Sequence, residues 1–370
     1  MRRFCCLLLC LLLPALALAA PDVPYDPQTL LRYAALTPAQ QALVDRLYGA
    51  AMAQEARVTF DGDAAYDDVK AAMTLLTTDF PELFQLDRAY TIGYYQSTPD
   101  VANYVLLDYT MDKAQADRLR EALLGEAQAL VGAGASDDDF QRELCFHDAL
   151  CRRVRYSTVG ADNHLATSAL LSGTAACEGY SQAMTLLCRL SGIPASMVYG
   201  RGAGGEHAWN ALMIGGVLCY TDVTWDDQEA ITVYSNFNLS AEQMAVRHQL
   251  EETLALPWPS SDLWEYHRVM GLVATTQEEA QAIFRQGLTA LVRTGQPVRI
   301  RFATQALYND SLSTLGQQID AYNASAAPSD CLYGAYAWLR EDDGACLTVY
   351  VPEGAGDARE DGLSEKGPLP

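Results

Sequence analysis

The sequence predicts an α+β protein in which a helix that begins at a cysteine packs on an antiparallel sheet. Small residues at 173–176 give way to apolar residues at helical spacing, so the helix begins near Cys177. Gly192-Ile193-Pro194 ends it, because glycine suits the left-handed cap and proline cannot continue a helix. Three β segments follow at 195–200, 206–214 and 217–222, the last two joined by the two-residue turn Gly215-Gly216.

An N-terminal α/β module is expected over residues 20–111. The capping box Thr37-Pro38-Ala39-Gln40 has proline at the first helical position and predicts a helix to about Val58. A second helix is expected at 63–78. The alternating segments 85–95 and 103–109 predict two strands.

The central domain is predicted to span residues 112–270. Two amphipathic helices, 112–131 and 136–156, lead into it, and they are separated by the break Gly132-Ala133-Gly134-Ala135. A short helix is expected near its end, at 261–270.

A small C-terminal α/β domain is predicted over residues 271–352. It combines helices at 276–293 and 305–324 with a strand at 298–303 and a hairpin formed by 332–339 and 345–351. The remaining residues, 353–370, are rich in Gly, Glu, Asp and Pro and predict a disordered tail.

Three residues of the central domain form a candidate reactive set. At a helix N-terminus the unpaired N–H groups and the dipole favour a thiolate, so Cys177 is placed as a nucleophile. In a hairpin that turns at 215 and 216, position 214 pairs with 217 and 209 with 222. Asp222 therefore lies within two residues of His207, where a carboxylate fixes the imidazole tautomer and leaves the other nitrogen for the thiol.

The ordered motifs around these residues resemble the transglutaminase-like superfamily, the circularly permuted relatives of papain-type cysteine proteases, and in particular its secreted bacterial members. The motifs are Cys177-Glu178-Gly179-Tyr180, His207-Ala208-Trp209-Asn210 and Asp222-Val223-Thr224-Trp225-Asp226. The resemblance is strongest over residues 140–250. It implies that Cys177 is the nucleophile, His207 the general base and acid, and Asp222 the orienting carboxylate.

The resemblance also implies residues around the site and a reaction. Trp209, Tyr180 and Trp225 match positions that pack around the site, and we assign Trp209, Tyr180 and His164 to substrate binding. His164 has an alternative role as a structural loop residue. The implied reaction is acyl transfer through a thioester on Cys177, from a protein or peptide amide to an amine or water. A cysteine peptidase or amidase on the same triad, or a non-catalytic binding module, stays open.

No metal or cofactor is expected. The chain has no Asp-x-Asp-x-Asp-Gly run with a glutamate at the EF-hand spacing, and no two histidines have a spacing that indicates zinc. The acidic run Asp137-Asp138-Asp139 lies in the first turn of a helix, where it complements the dipole. His147 is expected to be a surface or packing residue, and His248 and His267 are expected outside the triad hairpin.

The N-terminus and the charge indicate the compartment and the partners. Arg2-Arg3 followed by the apolar residues 4–19 predicts a secretory signal peptide, residues 1–19, cleaved before Ala20, with an uncleaved anchor as the alternative. We therefore expect a secreted protein without stable membrane insertion. The formal net charge of −22 disfavours nucleic acid as a partner, and a protein or peptide substrate is expected. The oligomeric state is left open.

The cysteine count fits one free thiol plus up to three pairs. Ten cysteines, of which three lie in the predicted signal peptide, leave seven in the mature chain. Cys331 and Cys346 flank the predicted C-terminal hairpin and are expected to bridge across it. Because this hairpin lies outside the triad motifs, we expect activity to survive whether or not the bridge forms.

Overall fold

The computed structural model describes residues 24–250, 256, 259, 261–332 and 336–352. The predicted signal peptide and the predicted tail at 353–370 lie outside the described residues. Within these described ranges, no helix is both long enough and apolar enough to span a membrane.

The N-terminal part combines two long helices with a three-stranded antiparallel sheet. The helices are Pro38–Ala53 and Tyr66–Asp79, and the sheet places Thr98–Tyr109 between Arg57–Ala65 and Leu86–Tyr95. The capping box at Thr37 is confirmed. The first helix ends earlier than predicted because Gln54 adopts a left-handed conformation (φ 57°), after which the chain enters the edge strand that the sequence did not predict.

The central part packs helices on one face of a second antiparallel sheet. The helices are Lys113–Ala133, Asp139–Arg153 and Cys177–Leu190, which we call the cysteine helix. The sheet contains Ala195–Gly202 followed by Gly205–Ile214 and Val217–Thr221, the last two forming the triad hairpin, with Gln249–Leu250 added on the outer edge. Ile214 pairs with Val217 as predicted.

The C-terminal unit has its own sheet and its own hydrophobic core. Its helices are Gln277–Thr294, Gln305–Ser313 and Leu315–Ser325, and its sheet contains Val298–Phe302, Cys346–Tyr350 and Ala337–Glu341, with Val273–Ala274 parallel at the other edge. The single helix predicted at 305–324 is two helices, since Thr314 between them leaves the helical region (φ −110°, ψ 6°). The helix predicted at 261–270 is only the turn Tyr266–Val269.

The predicted bridge between Cys331 and Cys346 is wrong, because both are free thiols. The hairpin is shorter than predicted, and its register places Cys346 opposite Glu341. Cys331 precedes the first strand, and its Sγ lies 3.4 Å from the carbonyl oxygen of Asn323. The two sulfurs therefore do not face each other across the strands.

The N-terminal part and the cysteine helix share one continuous hydrophobic core. A buried ion network joins them: Asp79 accepts hydrogen bonds from Arg32 at 2.8 Å and from Ser196 at 2.9 Å, with Arg189 of the cysteine helix 3.5 Å away. The N-terminal residues thus form part of the support for the helix that carries Cys177.

Candidate functional site

The cysteine helix begins at Cys177, as predicted, with Ala176 as its cap residue. The loop before it lies directly on its first turn, where a side chain at Gly179 would come within 2.6 Å of the carbonyl oxygen of Asn163. Glycine is therefore required for this close approach. Because the first N–H groups of a helix have no intrahelical acceptor, the Cys177 side chain lies beside unpaired backbone donors.

His207 lies between Cys177 and Asp222. Its Nε2 and Oδ2 of Asp222 are 2.7 Å apart, and the Cys177 side chain lies close enough to the ring to contribute to its raised pKa. Because Nε2 is engaged by Asp222, Nδ1 is the nitrogen left for the thiol. Asp222 follows the triad hairpin and caps the short helix Val223–Asp226, where its Oδ1 accepts from Trp225 N at 3.2 Å.

The electrostatics favour the charged forms of both residues. Burial alone would lower the pKa of His207, but the charge of Asp222 and hydrogen bonds with Asp222 and Cys177 raise it to about 10. Burial alone would raise the pKa of Asp222, but the charge of His207 and hydrogen bonds from His207 and His248 hold it below its usual range. The site is therefore arranged to keep an imidazolium next to the sulfur.

A second histidine, His248, contacts the triad, a contact that the sequence analysis did not predict. Its Nε2 lies 2.9 Å from Oδ2 of Asp222, the same oxygen that His207 engages. The strand Gln249–Leu250 brings it there by pairing with the edge of the central sheet. As expected, His248 lies outside the triad hairpin in the sequence. Its side chain nevertheless reaches the site.

Among the described residues, His207, Asp222 and His248 also form a group whose ligand atoms lie within 4.8 Å of one another. Two imidazoles and a carboxylate form a donor set that suits a divalent transition metal. The hydrogen bonds of His207 and His248 with Asp222 explain why these three side chains lie close together without an ion. The expected absence of a metal stays a prediction.

Aromatic rings enclose the histidine pair. Trp225 and Trp209 stack against His207, with ring centroids 5.1 Å and 6.0 Å away. Trp209 is buried on the face of the sheet opposite the cysteine helix, whereas Trp225 is partly exposed. Tyr156, half-exposed, lies close enough to Cys177 and Asp222 that their charges, after burial itself, raise its pKa.

The three residues assigned to substrate binding occupy different environments. Tyr180 and Trp209 are buried, and the Tyr180 hydroxyl lies within hydrogen-bond distance of two acceptors, Val154 O at 2.8 Å and Oδ2 of Asp227 at 2.6 Å. In this structure neither of these two side chains is open to solvent, and their assignment to substrate binding stays a prediction. His164 is partly exposed, and burial followed by the charge of Arg88 lowers its pKa.

His164 lines a cavity of about 320 Å³ between the N-terminal part and the loop before the cysteine helix. Apolar residues such as Phe80 and Phe84 form much of its wall. Arg88, also in the wall, forms an ion pair with Glu178, the residue after Cys177. The N-terminal part thereby reaches the first turn of the cysteine helix.

His147 is completely buried, so the surface role considered for it is wrong and the packing role fits. Its Nε2 lies 3.1 Å from Asp226, and its Nδ1 lies 3.3 Å from Asp148. Asp226 also accepts from the backbone N–H of Asn236 at 3.0 Å. This network fixes the turn that follows Asp222.

Comparison with protein families identifies the core. Residues 127–225 match the family model described as the transglutaminase-like superfamily. Together with the observed architecture, this match confirms the predicted resemblance and the α+β class with a transglutaminase-like core. A comparison with curated proteins found no match.

Solved structures similar to this chain include three with low sequence identity. A protein described as a TGase is 14% identical, with a TM-score of 0.26, covering 45% of this chain and 50% of its own. A candidate cysteine protease from Cytophaga hutchinsonii is 16% identical (TM-score 0.25; 37% and 61% covered). The periplasmic domain of TgpA from Pseudomonas aeruginosa is 20% identical (TM-score 0.22; 34% and 58% covered). This chain thus spans only 50 to 61% of their lengths.

Proposed function

We propose that the transglutaminase-like core of this chain is a cysteine acyl-transfer site and that the protein is secreted. In this proposal Cys177 forms a thioester from a protein or peptide amide and passes the acyl group to an amine or water. One observation carries it: a buried His207 hydrogen-bonds with Asp222 through Nε2, and the Cys177 side chain lies near enough to the same ring to help raise its pKa.

The first half-reaction forms the thioester. The Cys177 thiolate attacks the amide carbonyl, and the backbone N–H of Cys177 at the helix N-terminus is the donor placed for the developing oxyanion. The C–N bond then breaks while His207 transfers its Nδ1 proton to the leaving nitrogen. Ammonia leaves if the substrate is a glutamine side chain, and an amine leaves if it is a peptide bond.

The second half-reaction regenerates the thiol. An amine or a water molecule attacks the thioester, and the neutral Nδ1 of His207 accepts its proton. The C–S bond breaks, which restores the thiolate beside the imidazolium. Asp222 keeps Nε2 protonated throughout, so the same ring nitrogen serves as acid and then as base.

The proposal is tested by incubating the mature protein with a glutamine-containing protein and a fluorescent primary amine, with peptide cleavage measured in parallel. We expect amine incorporation that is lost in Cys177→Ala and kept in Cys145→Ala, which removes a partly exposed thiol elsewhere. If the protein cleaved peptides in a Cys177-dependent way but incorporated no amine, the site would be that of a peptidase and not of a transferase. If neither amine incorporation nor peptide cleavage occurred, that result would favour a non-catalytic binding module.

Secretion is tested separately by the mass of the exported protein. We expect the mature chain to begin at Ala20, because the small residues Ala17 and Ala19 fit the cleavage rule. Recovery of the protein with Met1 retained in the cell fraction would contradict this part of the proposal.

A further inference from the structure

We propose that His248 is a positioning residue that fixes the Asp222 carboxylate and, through it, the His207 imidazole. The proposal rests on the proposed function in one respect, since it takes Cys177 as the reacting thiol. His248 has no contact with a substrate atom in this role. It acts on the orientation of the general base.

The carboxylate of Asp222 is completely buried and has three donors. Oδ2 accepts from Nε2 of both His207 (2.7 Å) and His248 (2.9 Å), and Oδ1 accepts from Trp225 N at 3.2 Å. A buried carboxylate that loses a donor gains by rotating toward another one. Without His248, Asp222 would therefore be free to turn away from the position that holds His207.

The His248 ring is itself held on several sides. Its ring centroid lies 4.3 Å from that of Trp225 and 4.8 Å from that of Trp209. Its backbone is fixed by a hydrogen bond from His248 N to Met244 O at 3.0 Å and by the adjacent strand Gln249–Leu250. A residue packed this tightly can hold a neighbour in one orientation.

A glycine permits this arrangement. A side chain at Gly200 would come within 2.2 Å of the carbonyl oxygen of Gln249 and 2.6 Å of the Trp209 ring. The absence of a side chain lets the strand after His248 approach the central sheet closely. The backbone that carries His248 is thus built to reach the triad.

Two variants separate the two properties of His248 that could act on the site, its N–H donor and its aromatic ring. His248→Phe keeps an aromatic ring between the tryptophans but has no donor. His248→Gln loses the ring but keeps an N–H at comparable reach. His267→Phe is the matched control, because His267 is also buried and bonded to a carboxylate, Glu265, away from the triad.

The test measures the rate at which iodoacetamide alkylates Cys177 near neutral pH, resolved by peptide mass spectrometry. We expect His248→Phe to slow alkylation about tenfold, with His248→Gln and His267→Phe within about threefold of wild type. Wild-type alkylation in His248→Phe would overturn the proposal. Equal slowing in His248→Phe and His248→Gln, with unchanged unfolding temperature, would overturn it as well.

A second measurement needs no variant at this position. In wild-type protein with ¹⁵N-labelled histidine, we expect low-field imidazole protons on Nε2 of both His207 and His248. A missing His248 signal would overturn the inference even if a variant failed to fold. If Cys177 instead reacted no faster in wild type than in His207→Ala, the proposed function would be contradicted. Failure of the His248 inference and failure of the proposed function are therefore distinguishable.

Discussion

Glu341 of the C-terminal hairpin lies 3.4 Å from Arg247, the residue immediately before His248. The Arg247 guanidinium also lies over the Trp225 ring, 5.2 Å from its centroid. Glu341 accepts a second hydrogen bond from Ser235 at 2.5 Å. The C-terminal hairpin, which lies outside the triad motifs, therefore contacts residues that surround the site.

Glu341→Ala tests whether this contact supports the site. Loss of the carboxylate leaves the Ser235 hydroxyl without its acceptor and leaves Arg247 with only the Asn236 side chain, at 2.5 Å, as a hydrogen-bond acceptor among the described residues. We expect this to lower the free energy of unfolding by about 1–3 kcal/mol. We also expect slower alkylation of Cys177. Asp343→Ala removes an exposed carboxylate from the same hairpin and should change neither quantity. If Glu341→Ala changed stability and alkylation no more than Asp343→Ala does, the contact between the hairpin and the site would not support the site.

Asp79→Ala tests the ion network that joins the N-terminal part to the cysteine helix. The change leaves Arg32 and Arg189 buried without their carboxylate, and breaking such a network costs about 3–5 kcal/mol. Denaturant unfolding measures the loss. Asp67→Ala, an exposed position at the start of the same helix, should cost about 1 kcal/mol or less. Similar losses in the two variants would show that the network contributes little.

Glu143 predicts a pH dependence of stability. Burial raises its pKa from 4.5 to about 8, although hydrogen bonds from Asn238 and Thr221 act in the opposite direction. A carboxyl group whose pKa is raised by folding stabilises the protein below pH 4.5, and this contribution is lost as the pH rises through 8. Relative to Glu143→Gln, the wild type should therefore lose stability over this range.

The measurement for Glu143 is urea unfolding of both proteins at the two ends of that pH range. We expect the difference in unfolding free energy to change by a few kcal/mol. The exposed change Glu121→Gln should leave the corresponding difference constant. A difference between wild type and Glu143→Gln that does not vary with pH would refute the assignment.

The parts of the site with local signals were predicted from the sequence. The start of the helix at Cys177 follows from small residues meeting a helical apolar pattern, and the turn at Gly215-Gly216 fixes the register of the triad hairpin. Asp222 accordingly falls near His207. Each of these inferences needs only residues that are close in the chain.

The contacts that the sequence did not predict depend on distant segments. His248 reaches Asp222 only because Gln249–Leu250 pairs with Ala195–Gly202, and no local pattern near His248 indicates that pairing. His147 looked like one residue of an amphipathic helix, yet it is buried against Asp226 of the third motif. The contact of Glu341 with Arg247 joins two units whose packing no local pattern encodes.

Acylation of Cys177 by an activated ester tests the central claim most directly. The mature protein is treated with p-nitrophenyl acetate, and peptide mass spectrometry locates the acetyl group before and after addition of a primary amine. We predict one acetyl group per chain on Cys177, removed by the amine, absent in Cys177→Ala and formed much more slowly in His207→Ala. Acetylation at Cys145 instead, or a Cys177 acetyl group that forms equally fast without His207, would contradict the account.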